Sequence, residues 1–345
     1  MKWWKPEPRK LAAGVIAAAV AATIGLTASG ARADTWKFAF EEAIDEVQGK
    51  FAQRLKAEIE QNSNHTLQLF PYGTLGESDD VMEQGQAGIL EFVIQSPGFT
   101  GALIPEAQVF FVPYLLPNSP EHLANFFRDS VAINETFKDI YAEQGLELLQ
   151  MFPTGEVVMT TKSAVHSPAD LNEVKFRVMT NPLLVEAYKA FGAVPTPLPW
   201  GEVYGGLQTN IVQGQENPTS FVWSTKLYEV TDVITFTGHS NFTTAFMANK
   251  EFFDGLSEAD KEVVRNAVSA AFEYIVAYQK GLEEDSLKKI LEAKPEMQVV
   301  VLNEKERAPF RAAAKAVEAK FVEMTGERGA AILEQMKADI AAAMQ

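Results

Sequence analysis

Short apolar runs and amphipathic stretches alternate along most of this chain. Residues 36–40 alternate between apolar and polar positions, as a half-buried strand does. Residues 47–61 repeat apolar side chains at helical spacing, and residues 66–70 form a second strand pattern. A strand, a helix and a strand in this order make a βαβ unit, which predicts a parallel sheet and an α/β fold.

The pattern predicts further helices and strands as far as the C-terminus. We expect helices over residues 78–87, 123–144, 182–191, 200–209 and 304–344, and strands over residues 89–94, 146–152, 157–161, 176–179, 233–236, 243–248 and 299–302. Ser78 is the expected N-cap of the first of these helices. Residues 257–292 keep helical spacing behind a capping box at Ser257, which predicts one helix roughly 50 Å long.

The first 33 residues follow a different pattern. Four basic residues within the first ten precede an apolar run over residues 11–26, and residues 31–33 form an A-x-A cleavage site. The alternative is a membrane anchor, but the run is shorter than the roughly 20 residues that a spanning helix needs. We therefore expect a signal peptide that is cleaved after about Ala33, and export to a periplasm.

Composition narrows the possible classes of protein. The 345 residues suffice for two domains, and the absence of cysteine excludes disulfides and thiolate chemistry. The net charge is −16, and −20 without the first 33 residues, which argues against nucleic acid or anionic lipid as a partner. The four histidines are dispersed without ligand spacing, so we expect no metal site.

Chemistry-bearing side chains concentrate between residues 171 and 242. One arginine, one amide and several aromatic residues recur there between short apolar runs. Residues 201–206 are rich in glycine, but the Lys-Ser/Thr pair of a phosphate loop does not follow them. This composition suits the holding of a small anion or zwitterion, and we expect no catalytic residue and no cofactor.

Three segments resemble the binding core of the substrate-binding proteins of TRAP transporters, namely residues 175–182, 197–204 and 214–218. The resemblance covers essentially the whole chain after the signal peptide. Three further stretches look most like the ectoine-binding members of that family, namely residues 73–80, 95–101 and 196–206.

The resemblance implies an α/β, two-lobed periplasmic solute-binding protein fold. Lobe I would comprise residues 34–156 and 248–345, and lobe II would comprise residues 157–247. A long helix would span both lobes, and residues 257–292 are the candidate for it.

The resemblance also assigns roles to individual side chains. Arg177 matches the arginine that clamps the ligand carboxylate, and Asn217 matches the amide that assists it. Glu42 matches the acidic residue that meets the cyclic amidinium of ectoine. Four aromatic residues match the box around the ligand ring: Phe99, Trp200, Phe221 and Phe242.

Each assignment has a structural alternative. The alternative for Arg177 is a surface ion pair with Glu173. The alternative for Glu42 is a solvated acid at a helix start, where the helix dipole favours negative charge, and Glu41 competes with it for the role. The three phenylalanines belong to a residue type that is usually buried in a core.

The sequence therefore predicts a periplasmic receptor that binds ectoine or 5-hydroxyectoine, a compatible solute, and delivers it to TRAP membrane subunits. Ectoine is a compact zwitterion with a carboxylate on a ring that bears a delocalised cation. A guanidinium matches carboxylate geometry with two parallel hydrogen bonds, which lysine cannot make. Aromatic faces attract the cation by roughly 0.5 to 2 kcal/mol each.

Two other functions remain open from the sequence. The first is a TRAP receptor for an organic acid such as a C4-dicarboxylate, whose second carboxylate Glu42 would repel. The second is an exported enzyme such as a lyase or hydrolase, against which the missing acid, base and nucleophile argue.

Overall fold

The computed structural model describes residues 1–3 and 34–345. The predicted signal peptide falls mainly on residues 4–33 and so lies outside the described residues. All the elements below belong to one compact unit, Ala33–Gln345. No helix within the described ranges combines the length and the apolar character that crossing a membrane requires.

The described residues contain ten strands and twelve α-helices. The strands are β1 (Thr35–Ala39), β2 (Thr66–Phe70), β3 (Phe92–Gln95), β4 (Leu146–Thr161), β5 (Lys175–Val178), β6 (Val194–Pro197), β7 (Gly214–Pro218), β8 (Val233–Phe236), β9 (Asn241–Asn249) and β10 (Gln298–Val301). The helices are α1 (Val47–Asn62), α2 (Ser78–Gln86), α3 (Pro97–Thr100), α4 (Pro120–Asp129), α5 (Lys138–Glu143), α6 (Pro182–Ala190), α7 (Val203–Gln208), α8 (Thr219–Ser224), α9 (Lys250–Gly255), α10 (Glu258–Tyr278), α11 (Leu282–Ala293) and α12 (Glu304–Ala343).

The strands form one mixed sheet in the order β2-β1-β3-β9-β4-β7-β5-β6, and β8 joins β4 to β10. β1 is parallel to both β2 and β3, which confirms the predicted βαβ unit. β9 runs antiparallel to β3 and to β4. The α/β class predicted from the sequence is therefore confirmed.

Separate hydrophobic cores define two lobes along this sheet. The first lobe surrounds a cluster that includes Phe38, Phe92 and Phe246. The second lobe surrounds two clusters, one around Phe176 and one around Ile234. β4 and β9 run through both lobes, because each strand contributes residues to the first cluster and to the second. The predicted domain boundaries near residues 156 and 247 stay a prediction.

The prediction of a single helix over residues 257–292 is wrong, because this segment forms two helices. α10 ends at Tyr278 and α11 begins at Leu282, and Gly281 between them has φ +81°, in the left-handed region that favours glycine. The long helix that reaches both lobes is α12. Its Phe310 belongs to the second lobe's core and its Phe321 to the first, before a break at Gly326.

Several strands differ from the sequence prediction because pairing between distant residues decides them. Residues 146–152 and 157–161 are one strand, β4, since β9 pairs along most of its length. Residues 214–218, which are not among the predicted strands, form β7 between β4 and β5. The proline-rich residues 194–197 form β6 at the edge of the sheet.

Helix starts and interruptions also differ in detail. Residues 123–144 are divided between α4, a π-helical segment (Ala132–Phe137) and α5. The N-cap of α2 is Glu77 rather than Ser78, because Glu77 and Asp80 form a reciprocal capping box. Residues 200–209 form a 3-10 turn (Trp200–Glu202) followed by α7.

Candidate functional site

One cavity between the two lobes is lined by all seven residues that the sequence singled out. It encloses about 360 Å³ of space not occupied by protein atoms, part of it continuous with solvent. Twelve residues line it: Glu41, Glu42, Gln48, Tyr72, Ser78, Phe99, Arg177, Met179, Trp200, Asn217, Phe221 and Phe242.

Glu42 forms the acidic wall of the cavity. It follows β1 at the carboxyl end of the strand, the edge where open α/β sheets place ligands. Its side chain is only 2% exposed, so the reading as a solvated acid is wrong. Oε2 accepts the backbone N–H of Gln48 (2.8 Å), whereas Oε1 is buried without a partner in the described part of the chain.

An unpartnered buried carboxylate oxygen is costly, since burial removes its water without replacing the hydrogen bonds. Burial raises the pKa of Glu42 well above its ordinary value, and the nearby carboxylates of Glu46, Glu41 and Glu283 raise it further. A cationic donor at Oε1 would satisfy the oxygen and favour the ionised form.

Glu41 is tied to the protein on both sides. Oε2 accepts the backbone N–H of Ser96 (2.6 Å). Oε1 accepts the amide N–H of Gln95 (2.7 Å) in the orientation of that amide that satisfies both its oxygen and its nitrogen. Burial raises the pKa of Glu41 to about 8. Since both oxygens have protein partners, Glu41 holds the loop that leads to Phe99, and Glu42 alone of the pair keeps an oxygen for a ligand.

Arg177 forms the basic wall and projects from β5. Its side chain is 1% exposed, so the alternative of a surface ion pair with Glu173 is wrong. Nε (3.0 Å) and Nη2 (2.7 Å) both donate to the carbonyl oxygen of Leu198. Burial lowers its pKa to about 10, and the charge of Glu216 opposes that shift. The guanidinium therefore stays charged at neutral pH, with its side edge anchored by the backbone.

Asn217 reaches the cavity from β7, opposite Val158 of β4. Its Nδ2 donates to Oε1 of Gln215 (2.6 Å), and Nε2 of Gln215 donates in turn to the hydroxyl of Thr160 (2.6 Å). This buried chain of hydrogen bonds fixes the orientation of the Asn217 amide in the cavity that Arg177 also lines.

Aromatic rings cover the remaining walls. The Trp200 ring centroid lies 5.7 Å from Cζ of Arg177 and 6.2 Å from the Phe221 centroid. Phe221 and Phe242 stack at 5.6 Å, and both are buried. Phe99, at the end of the loop that Glu41 holds, is half-buried. The phenylalanines therefore belong both to the protein interior and to the cavity lining.

Four lining residues were absent from the sequence prediction: Gln48, Tyr72, Ser78 and Met179. Two of them carried a usable signal. Met179 stands two positions after Arg177, the spacing that places side chains on one face of an extended segment. Tyr72 follows β2 at the same edge of the parallel sheet as Glu42.

The model of the family "Bacterial extracellular solute-binding protein, family 7" matches residues 38–325. The ectoine/5-hydroxyectoine-binding periplasmic protein UehA of Ruegeria pomeroyi is 68% identical over 326 residues, 94% of this chain and 96% of that protein.

A second relative has a solved structure. The ectoine-binding periplasmic protein TeaA of Halomonas elongata is 54% identical over 314 residues, 91% of this chain and 92% of that protein. The structure of the ectoine-binding protein from the TeaABC TRAP transporter of that organism has a TM-score of 0.89 at 55% identity. It covers 90% of this chain and 100% of that chain.

Proposed function

This chain belongs to family 7 of the bacterial extracellular solute-binding proteins, and we propose that it is the periplasmic receptor of a TRAP transporter for ectoine or 5-hydroxyectoine. It is thus a binding protein, and the cavity between its lobes is the proposed ligand site. Two relatives that match it over more than nine tenths of its length carry ectoine binding in their names.

The observation that carries the proposal is the pairing of unlike charges across one small cavity. Glu42 presents an oxygen that has no partner among residues 1–3 and 34–345, and Arg177 presents a guanidinium from the other lobe. A zwitterion with its charges on opposite sides of a ring meets both demands at once. The carboxylate would bind Arg177 and Asn217, and the ring cation would bind Glu42.

The aromatic walls suit the same ligand. Trp200, Phe221, Phe242 and Phe99 surround the space between the two charged walls. Each aromatic face attracts a delocalised cation by roughly 0.5 to 2 kcal/mol. The rings also exclude water from the cation. Closure of the two lobes around the ligand by hinge motion would complete this box.

A dicarboxylate is the weaker candidate for this cavity. Its second carboxylate would lie against Glu42, with Glu41 close by and Glu46 near enough to affect the pKa of Glu42. An ionised Glu42 would repel that carboxylate, so a dicarboxylate could bind only at the cost of keeping Glu42 protonated.

Glu42→Gln separates the two ligands, because it keeps the shape and removes the charge. For ectoine, we expect calorimetry to show binding weakened by about 1.5 to 3 kcal/mol, the range for hydrogen bonds to charged groups. For succinate, the same change should strengthen binding. Glu83→Gln, an exposed acid on α2, is the matched control. Unchanged ectoine affinity, or a gain for a dicarboxylate that the wild type already binds, would favour the organic-acid receptor.

The proposal includes export and delivery. The basic and apolar pattern of the first 33 residues supports a signal peptide cleaved after about Ala33, and the relatives are named as periplasmic proteins. N-terminal sequencing of the exported protein tests the cleavage site. The ligand-bound form would be the one that the TRAP membrane subunits receive.

A further inference from the structure

Helix α8 bridges the two lobes beside the cavity. It packs with the second lobe through Val222 and presents Phe221 to the cavity. At its end, the hydroxyl of Ser224 donates to Oε1 of Glu46. Glu46 is the N-cap of α1, whose Phe51 belongs to the first lobe's core. This hydrogen bond therefore joins the two lobes.

The first-lobe end of this contact is held in place. Oε2 of Glu46 accepts the backbone N–H of Ala43 (2.8 Å), which fixes the turn between Glu42 and α1. The carboxylate that meets Ser224 thus belongs to the same turn as the acidic wall of the cavity. A ligand that orders Glu42 would order the partner of Ser224 as well.

The second-lobe end is also anchored. The carboxylate of Glu283, two residues after the break at Gly281, accepts from the Thr219 hydroxyl and from both the N–H (3.2 Å) and the hydroxyl (2.8 Å) of Ser220. These bonds fix the start of α8 to α11. Ser224 is therefore presented by a helix with a fixed direction, not by a loose loop.

A second contact between the lobes lies elsewhere on the rim. Gly201, in the second lobe, packs against the hydroxyl of Tyr72, which donates to Glu77 (2.9 Å). A Cβ at position 201 would lie 3.1 Å from an oxygen of each of these two side chains. The rim is thus closed both at the end of α8 and at the turn that carries Trp200.

We infer that Ser224 and Glu46 form a latch between the lobes, and that opening of this hydrogen bond limits the rate of ligand release. The inference rests on the proposed function for the identity of the ligand. Neither residue lines the cavity, so the hydrogen bond joins the lobes without itself contacting the ligand. It therefore changes dissociation more than association, as contacts formed after encounter do.

The test compares Ser224→Ala with Thr225→Ala. Thr225 is the adjacent hydroxyl, and it donates only within its own helix, to the carbonyl oxygen of Phe221 (2.6 Å). Release of ectoine, measured by stopped flow, should be about three- to tenfold faster in Ser224→Ala than in the wild type. The expected effect is smaller than for a buried hydrogen bond to a charged group, because this bond is exposed to solvent. Thr225→Ala should stay within about twofold of the wild type on the same grounds.

A double-mutant cycle with Glu46→Ala assigns the effect to the pair. If the two side chains act through each other, Ser224→Ala should accelerate release no further in the Glu46→Ala background. Full additivity of the two changes would overturn the latch.

A distance measurement tests the latch without relying on ectoine. The chain has no cysteine, so Glu83→Cys on α2 and Gln208→Cys on α7 place spin labels on exposed positions of the two lobes. The fraction with the short distance should fall in Ser224→Ala and not in Thr225→Ala. If the wild type binds no ectoine, the proposed function fails while this measurement still judges the latch. The latch is overturned if Ser224→Ala and Thr225→Ala show the same distances and the same release rates.

Discussion

The two charged walls of the cavity, Arg177 and Glu42, differ in how far the protein itself supplies their hydrogen-bond partners. Arg177 donates twice to the carbonyl of Leu198 and faces Trp200, so its charge is compensated by its own lobe. Glu42 accepts one backbone N–H and leaves its other oxygen buried without a partner within the described residues. Both side chains are almost fully buried, yet of the two only Glu42 has a buried polar atom that lacks a hydrogen-bond partner within the described residues.

The difference shows which wall is preorganised and which responds to the ligand. Burial lowers the pKa of Arg177 only to about 10, so the guanidinium stays charged with or without a ligand. Burial raises the pKa of Glu42 well above 4.5, so its charge depends on what lies opposite. The basic wall should therefore supply most of the affinity, and the acidic wall should make binding depend on pH.

The sharpest test of this contrast removes the preorganised wall. We expect Arg177→Ala to weaken ectoine binding by about 3 to 5 kcal/mol, because the ligand carboxylate would be buried without its charge partner. Arg177→Lys should also bind poorly, since a point charge cannot replace the two-pronged guanidinium. Calorimetry measures both, and circular dichroism checks that the fold persists.

Arg311→Ala is the matched control for that experiment. Arg311 also lies over an aromatic ring, Tyr114 (4.6 Å), but it is outside the cavity. Wild-type affinity in Arg177→Ala would show that the guanidinium wall does not hold the ligand, and the comparison of the two walls would fail.

The acidic wall predicts a proton effect of intermediate size. A ligand cation favours ionised Glu42, so binding should release protons at pH values between the ordinary carboxyl pKa of 4.5 and the raised one. Ectoine affinity should therefore rise with pH across that interval, by up to about tenfold (1.4 kcal/mol) per pH unit.

Calorimetry at one pH in two buffers of different ionisation enthalpy measures the proton release. Glu42→Gln should abolish most of it, since the amide cannot titrate. Equal binding heats in both buffers for the wild type would mean that Glu42 does not change its protonation state on binding, and the predicted proton release would be wrong.

The smallest expected effect concerns Trp200, whose ring lies near both the guanidinium of Arg177 and the ring of Phe221. Trp200→Leu should weaken ectoine binding by about 0.5 to 2 kcal/mol through loss of the aromatic face. Trp223→Leu is the control, because Trp223 stacks on Tyr228 (5.4 Å) outside the cavity. Equal losses in the two variants would indicate a general effect on the second lobe.

Local patterns were enough for much of the fold and for the list of candidate side chains. Period-2 and helical spacing predicted β1, α1 and β2 close to their observed bounds. The βαβ order then implied that Glu42 lies at the ligand edge of the sheet. Resemblance to a family added Arg177, Asn217 and the aromatic residues, and all of them line the one cavity.

Tertiary structure decided whatever depends on residues far apart in the chain. β7 is a strand because β4 and β5 pair with it, although its sequence suits a turn. The break at Gly281 separates a helix that packs on the first lobe from one that packs on the second, which helical spacing alone cannot reveal.

The roles of the two adjacent acids were decided in the same way. Glu41 and Glu42 are equivalent in the local pattern. In the folded chain, Ser96 and Gln95 occupy the oxygens of Glu41, whereas Oε1 of Glu42 has no partner in the part of the chain that the structure describes. Ser224 meets Glu46 across 178 positions of sequence. Periodicity reports only which way a side chain points within its own element, whereas hydrogen-bond partners and burial depend on what the folded chain places opposite.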